Sequence, residues 1–387
     1  MKSFKIQTLI LIAVAFMLGM SEFIIVGIFS DISNSFHVSI ASVGLLTTIF
    51  AVIYAISTPI LSLLVGEHRL NRVIGLTMAI FIFGNILSAI APTFLILTIS
   101  RIITALVSGI TISIAITFAT FITPKAKQAW IVSWVFSGFS IASVFGVPTG
   151  TWLSSKVGWR LTFWLIALLS AGILIAFQLS LPHNLKQQKV EHFTDQFKIL
   201  TDKRILLGIF VPVLALGSVY IIYTYVTPIL TDSFGYSINF VTIYLVIYGI
   251  ASLLSNQTAG RLASKNGFQR IFKFYVIQMF ALLGVSVFFK MPIIDLGLII
   301  LLGFTIYLAG ATCQLFYMGI AEAKYPQSLV LASTFNPIFS NVGIALGSAT
   351  GGLIVNTVGL PFLGIGGAIY TAILLVILWV LTHQAQP

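Results

Sequence analysis

Two residues stand apart because ionisable groups sit where almost none are found. Glu22, in Ser21-Glu22-Phe23-Ile24-Ile25-Val26-Gly27, lies well inside a long apolar run, and so does Arg101, in Arg101-Ile102-Ile103-Thr104-Ala105-Leu106-Val107-Ser108-Gly109. A charge at the centre of a membrane helix costs about 2.5–3.5 kcal/mol on insertion scales, so such residues face a bundle interior or a watery cavity. A carboxyl group held there is pulled two ways. Apolar surroundings favour its neutral form, and a nearby cation favours its ionised form. A group balanced between them can exchange a proton for a cargo molecule, which is the chemistry of proton-coupled transport. Arginine stays protonated, so Arg101 can bias Glu22 or bind an anionic group but cannot carry the proton. Taken as helices rising 1.5 Å per residue, the two runs place both side chains roughly 10–12 Å below the same surface. Equal depth permits them to pair.

The elements that position them follow from composition. Of 387 residues, 58% are hydrophobic and 7% charged. Soluble domains are about a quarter charged, and disordered chains lack this apolar content, so both classes are excluded. Apolar segments fall at 6–30, 42–64, 73–91, 94–121, 129–153, 161–181, 205–230, 240–262, 271–289, 293–320, 327–355 and 361–381. Each suits a tilted membrane helix of about 20 residues, and the alternation of a membrane barrel strand is absent. The fold expected is an all-α membrane protein of twelve transmembrane helices in two pseudo-symmetric six-helix bundles. The first run follows Lys2 and Lys5 and is too long for a signal peptide, so it is expected to remain as a helix.

Charge placement gives orientation. Of 20 Lys and Arg, only Lys156, Arg160 and Lys290 fall outside if the N-terminus is inside, and Arg101 falls within a helix. The other sixteen fall inside, so both termini are expected to be cytoplasmic. The formal charge of +11 is dispersed among apolar runs, which argues for membrane topology and against nucleic-acid binding. The single cysteine, Cys313, excludes an internal disulfide framework.

The stretch 182–204 divides the chain into bundles at 1–181 and 205–387. It carries Val190, Phe193, Phe197 and Leu200 at helical spacing among lysines. Both an amphipathic helix on the membrane surface and a solvated linker fit that pattern. The halves repeat. Asp31 and Asp232 lie 201 residues apart, as do Gly146 and Gly347, and Gly150 and Gly351. The loop 62–72, ending in Arg72, matches 260–270, from Gly260 to Arg270, at an offset of 198. Parallel repeats suit a rocking transporter with its site between them. An offset of 201 places Tyr223 opposite Glu22, so proton chemistry is expected in the first half. Cargo contacts in the second half are expected from Tyr223, Tyr225, Gln314, Asn336 and Asn341, each of which equally suits an interhelical hydrogen bond or packing.

Segment five carries Gly138, Ala142, Gly146 and Gly150 four residues apart, on one face, with Pro148 among them. Small residues permit close helix approach, and the proline lacks a backbone donor and kinks its helix. Gly343, Gly347 and Gly351 recur in segment eleven. These seams are expected to let the two halves slide or seal.

These motifs together resemble the major facilitator superfamily, and within it the twelve-helix drug:proton antiporters of the arabinose-efflux and purine-efflux branch. The segment 138–150 resembles the antiporter motif of helix five and is followed by Gly158-Trp159-Arg160 and Phe163, as in that branch. The segment 101–109 is similar to the helix-four motif with its buried arginine. The resemblance covers nearly the whole chain. It implies alternating access, helices one and four lining the cavity, and a monomer. It departs at the loop between segments two and three, where Ser62 and Gly66 replace the usual Gly and Asp. The second copy keeps Gly260 but has Ser264. Glu67, beside the vacant acidic position, is the candidate substitute, with a side chain expected to point in another direction.

No phosphate loop, His-Glu-x-x-His or Gly-x-Ser-x-Gly motif occurs, so neither an ATP-driven pump nor a hydrolase is indicated. The five histidines lack ligand spacing, and no cofactor or metal is expected. The function expected is proton-coupled efflux of a small organic molecule such as a drug, sugar or purine, in a bacterial plasma membrane. An uptake symporter or facilitator of the same fold is the alternative, and a non-transporting receptor the remote one.

Overall fold

The computed structural model describes residues 2–64, 68–124, 128–183, 185, 197–263 and 267–384. Every extended element among them is helical. The helices are α1 (Lys2–Gly27), α2 (Phe29–Phe36), α3 (Ile40–Leu64), α4 (Leu70–Ala89), α5 (Phe94–Phe121), α6 (Gln128–Ile141), α7 (Val147–Val157) and α8 (Trp159–Ser180). They continue as α9 (Lys203–Gly208), α10 (Phe210–Tyr223), α11 (Val226–Pro228), α12 (Ile238–Leu262), α13 (Gly267–Val287), α14 (Pro292–Thr305), α15 (Gly310–Lys324), α16 (Leu329–Thr357) and α17 (Leu363–Gln384). Among the described residues, eleven stretches are long and apolar enough to cross a membrane. Segment five completes the expected set in pieces, because a π-helical turn at Ala142–Gly146 separates α6 from α7. The amphipathic stretch expected around 190–200 lies mostly outside the described residues, as do Gly66, Glu67 and Ser264. Phe197–Thr201 forms a 3-10 turn.

Backbone contacts define two units. Unit one is Met1–Val38, Ile49–Val190 and Tyr236–Val246, and unit two is Ser39–Thr48, Glu191–Gly235 and Ile247–Pro387. In unit one α1 packs on α5, α6 and α8, and α4 on α5 and α8. In unit two α10 packs on α16 and α17, and α13 on α14 and α17.

The glycine seams lie inside these units. A Cβ on Gly138 would stand 2.5 Å from the Ile12 carbonyl oxygen and 2.7 Å from the Ala15 methyl; one on Gly146 would meet Met20 at 3.1 Å, and one on Gly150 would meet Ile24. All four neighbours belong to α1. The equivalent residues Gly343, Gly347 and Gly351 rest on the α10 backbone at Val213, Gly217 and Ile221. The glycine face of segment five is therefore filled by α1 of its own unit, which corrects the expectation of a face kept for the opposite half. Pro148 is buried, and its missing donor coincides with the π turn, where Val147 N–H reaches back to the Ala142 carbonyl. A local change of helix pitch is the physical consequence.

The repeat is visible in the backbone, with a correction to its register. Segment one breaks at Ile28 (φ −112, ψ 21) and segment seven at Tyr225 (φ −108, ψ 12), 197 residues later. Left-handed residues close both turns, His37 (φ 53) and Gly235 (φ 71), 198 apart. Gly158 (φ 106) and Gly359 (φ 94) precede the last helix of each half, 201 apart. The offset thus grows along the chain. On the first helix it is 197, which makes Val219, not Tyr223, the repeat counterpart of Glu22. By the same register Asp31 and Asp232 are not equivalent. Asp31 accepts a hydrogen bond from Ser154 on α7, and Asp232 accepts one from Thr231 beside it.

Candidate functional site

The site lies within unit one, where α1, α3, α4, α5 and α8 converge on Arg101. This side chain is fully buried. One terminal nitrogen donates to the Ser21 carbonyl at 2.7 Å and the other to the Ser21 hydroxyl at 3.1 Å. The Ser21 hydroxyl donates in turn to Asn85 Oδ1 at 3.1 Å, and Asn85 Nδ2 donates to the Phe81 carbonyl at 2.9 Å. The guanidinium carbon stands 4.7 Å from the centre of the Phe50 ring and 5.9 Å from that of Phe163. Ring faces attract a cation, the more so away from water. Arg101 Nε has no hydrogen-bond partner among the described residues. Below it, Ser88 and Ser100 share a hydrogen bond of 2.7 Å that ties α4 to α5.

Glu22 follows Ser21 on α1 and is half-buried. It makes no ion pair with Arg101 and no hydrogen bond among the described residues, although its charge is felt by both Arg101 and Tyr54. The expected pairing is thus indirect. Neutral acceptors on α1 and aromatic faces hold the cation, and the acid beside them is left free. Sequence reasoning missed Ser21, Asn85, Phe50 and Tyr54. Asn85 carried a signal, being an amide alone in the apolar run of segment three.

The residues expected in the second half are dispersed. Tyr223 is buried, stacked on Tyr248 with ring centres 4.6 Å apart and planes at 15°, and edge-on to Tyr220 at 5.4 Å. Tyr225 is fully buried and donates its hydroxyl to the Ser348 carbonyl at 3.0 Å. Asn341 is buried and donates to the Pro337 carbonyl at 3.2 Å. Gln314 is half-buried. Asn336 is half-buried too; its Oδ1 is enclosed without a partner among the described residues, and its amide nitrogen lies near Gly310. The organising polar residue of unit two is one not anticipated, Gln278, which donates to Ser218 at 2.9 Å and Thr371 at 3.2 Å. Ser218 stands 197 residues after Ser21, so each half anchors an amide to the same turn of its first helix. Among the described residues, unit one adds an arginine to this arrangement, Arg101. Of the loop residues, Arg72 and Arg270 are exposed, and nothing lies within 4 Å of a Cβ built on Gly260.

An all-helical chain with many membrane spans, a repeated architecture and an ion-bearing polar cluster inside one unit defines a polytopic membrane transporter. The family is established by sequence: residues 11–336 match the model of the Major Facilitator Superfamily, and the chain belongs to it. It is 32% identical over 359 residues to the MFS-type transporter YtbD of Bacillus subtilis, covering 92% of this chain and 90% of that one. It is 29% identical over 374 residues to the inner membrane transport protein YdhP of Escherichia coli, covering 96% and 95%. Solved structures share the fold at low identity. A bacterial homologue of the human lysosomal transporter Spinster superposes with a TM-score of 0.78 at 16% identity, covering 98% of this chain and 97% of that one. The nucleoside transporter NupG superposes at 0.76, also at 16% identity, covering 97% and 99%.

Proposed function

We propose that this protein is a proton-coupled exporter of a small organic molecule, of the drug:proton antiporter kind, working by alternating access of two six-helix halves. The halves are 1–181 and 205–387, joined by 182–204. The observation that supports this best is the division of labour around Ser21. Arg101 is occupied by the Ser21 carbonyl and hydroxyl, so the adjacent Glu22 carboxyl keeps its capacity to take a proton or a cationic cargo group. Arg101 supplies a fixed positive charge that competes with both. Protonation of Glu22 from outside would discharge the cargo, and deprotonation inside would reset the site. The partners are protons, a small-molecule cargo and the bilayer, with the protein a monomer in a bacterial plasma membrane and both termini in the cytoplasm. Gln314, Asn336 and Asn341 are proposed as cargo contacts. Tyr223 and Tyr225 would reach cargo only if their present packing opens.

The test is transport in inside-out vesicles under an imposed pH gradient, with labelled adenine, arabinose and a lipophilic cation as probes. Gradient-driven accumulation of a probe, lost in Glu22→Gln with the protein still folded, is the expected result. Full gradient-driven accumulation in that variant would overturn proton coupling at Glu22. Accumulation only under the reversed gradient would assign uptake instead of export.

A further inference from the structure

Unit two holds an acid to which the site above gives no role. Asp295, in the first turn of α14, is fully buried, and neither of its carboxyl oxygens has a hydrogen-bond partner among the described residues. An acid in a first helical turn ordinarily accepts from free backbone N–H groups. Asp295 accepts from none, so a capping role does not account for it. It has no ion pair among the described residues, and no group of three or more metal-binding side chains exists among them. Its position on the helix is equally specific. Asp295, Ile299, Leu302 and Ile306 recur at spacings of four, three and four and are all buried, while Ile293 and Ile294 on the other side are 82% and 42% exposed. The side chain therefore turns away from the lipid-facing side and into the packed interior.

No hydrogen-bond donor reaches its carboxyl from the packed elements among the described residues. The element packed along α14 is α13, with Gly284 against Leu298. The ionisable residues of α13, Arg270, Lys273 and Tyr275, lie at least two helical turns further along from Gly284. Lys290, in the connection between these helices, is exposed. Further along α14, Gly303 contacts the ring of Tyr248. A bare carboxylate in such surroundings, with no donor and no cation, is heavily disfavoured against its neutral form. Intramembrane acids of this kind mark proton or ion pathways.

We propose that Asp295 is a second proton-carrying carboxyl, so that each unit contributes one proton site, Glu22 in unit one and Asp295 in unit two. The inference rests on the proton coupling proposed above, and it adds a stoichiometry: two protons exchanged per cycle. Asp295 loads and releases its proton when the packing around the start of α14 opens to water, and its charged form is tolerated only in that opened state.

The test uses the full-length protein in liposomes and needs no known cargo. Infrared spectra of protonated carboxyl groups are recorded in H2O and D2O for the wild type, Glu22→Gln and Asp295→Asn. One protonated-carboxyl component is expected to persist in Glu22→Gln, vanish in Asp295→Asn, and shift in D2O. An unchanged component in Asp295→Asn overturns the proposal, as does one that never exchanges with D2O, which marks a sealed structural acid. Failure of the Glu22 assignment shows separately, as the absence of any second component that is lost in Glu22→Gln. Should Asp295→Asn fail to fold, wild-type protein treated with dicyclohexylcarbodiimide supplies the second measurement. A carbodiimide adduct mapped to Asp295 supports the proposal, and an adduct on Glu22 without one on Asp295 overturns it.

Discussion

Arg101 binds Ser21 twice, through its carbonyl at 2.7 Å and its hydroxyl at 3.1 Å, and leaves the next residue, Glu22, unpaired. A buried guanidinium held by neutral oxygens and the faces of Phe50 and Phe163 keeps its orientation whatever the charge on Glu22. That independence suits the proton coupling proposed above, in which the cation persists while the acid changes state. Ser21→Ala removes an acceptor from Arg101 and a donor from Asn85. It is expected to cost about 1–3 kcal/mol, the range for buried polar groups left unsatisfied, read as a lower unfolding midpoint in detergent. Arg101→Lys keeps the charge but loses the fork that spans both oxygens. Its gradient-driven transport is expected to fall at least tenfold, with smaller loss of fold.

A seam glycine and an open one predict a contrast in stability. Gly347→Val would force side-chain atoms into the Gly217 backbone, where no flexible side chain can yield. Overpacking of this sort costs about 1–3 kcal/mol or more, so a marked drop in thermal stability is expected. Gly260→Ala places its methyl in open space and is expected to leave the midpoint within about 1 kcal/mol of wild type. Loss of transport in Gly260→Ala, with its stability intact, would isolate a gating role for that loop.

Pro148→Ala restores a backbone donor immediately after the π turn. The helix from Gln128 to Val157 is then free to adopt regular pitch, which would rotate Gly150 away from Ile24. Reduced transport is expected, with increased amide protection at 142–148 in hydrogen exchange. Unchanged protection there would show that the turn is held by packing on α1, not by the missing donor.

Asp202 gives a pH dependence outside the membrane-spanning segments. It caps α9, accepting from the Arg204 amide at 2.9 Å and from its guanidinium at 2.8 and 3.1 Å. These bonds, offset in part by burial, hold its carboxyl below the ordinary value of 3.8. A lowered value means the contribution is full above that ordinary value and is lost as pH falls through the depressed one. Amide protection of α9 is therefore expected to be constant at neutral pH and to weaken only below about pH 4. Asp202→Ala should remove about 1 kcal/mol of local protection at neutral pH and abolish the acid dependence.

Much of the architecture was legible in sequence because membrane helices are written in local composition. A run of apolar residues has to satisfy its backbone internally, and so becomes a helix wherever it packs. The succession of membrane helices and the interrupted fifth segment follow from that. The repeat was legible as well, but its register on the first helix was not. The offset of 201 from the glycine seams does not hold where the chain has lost or gained residues between segments. Only the matching breaks at Ile28 and Tyr225 show that Val219 is the repeat counterpart of Glu22.

Partnership was decided by tertiary structure alone. Sequence gave Glu22 and Arg101 equal depth, yet depth says nothing of rotation about a helix axis, and rotation turns Arg101 toward Ser21. It likewise turns the glycine face of segment five onto α1, and Asp295 inward from a run whose neighbours Ile293 and Ile294 face out. Composition fixes what must be buried in a membrane, and only packing among helices fixes which buried groups meet.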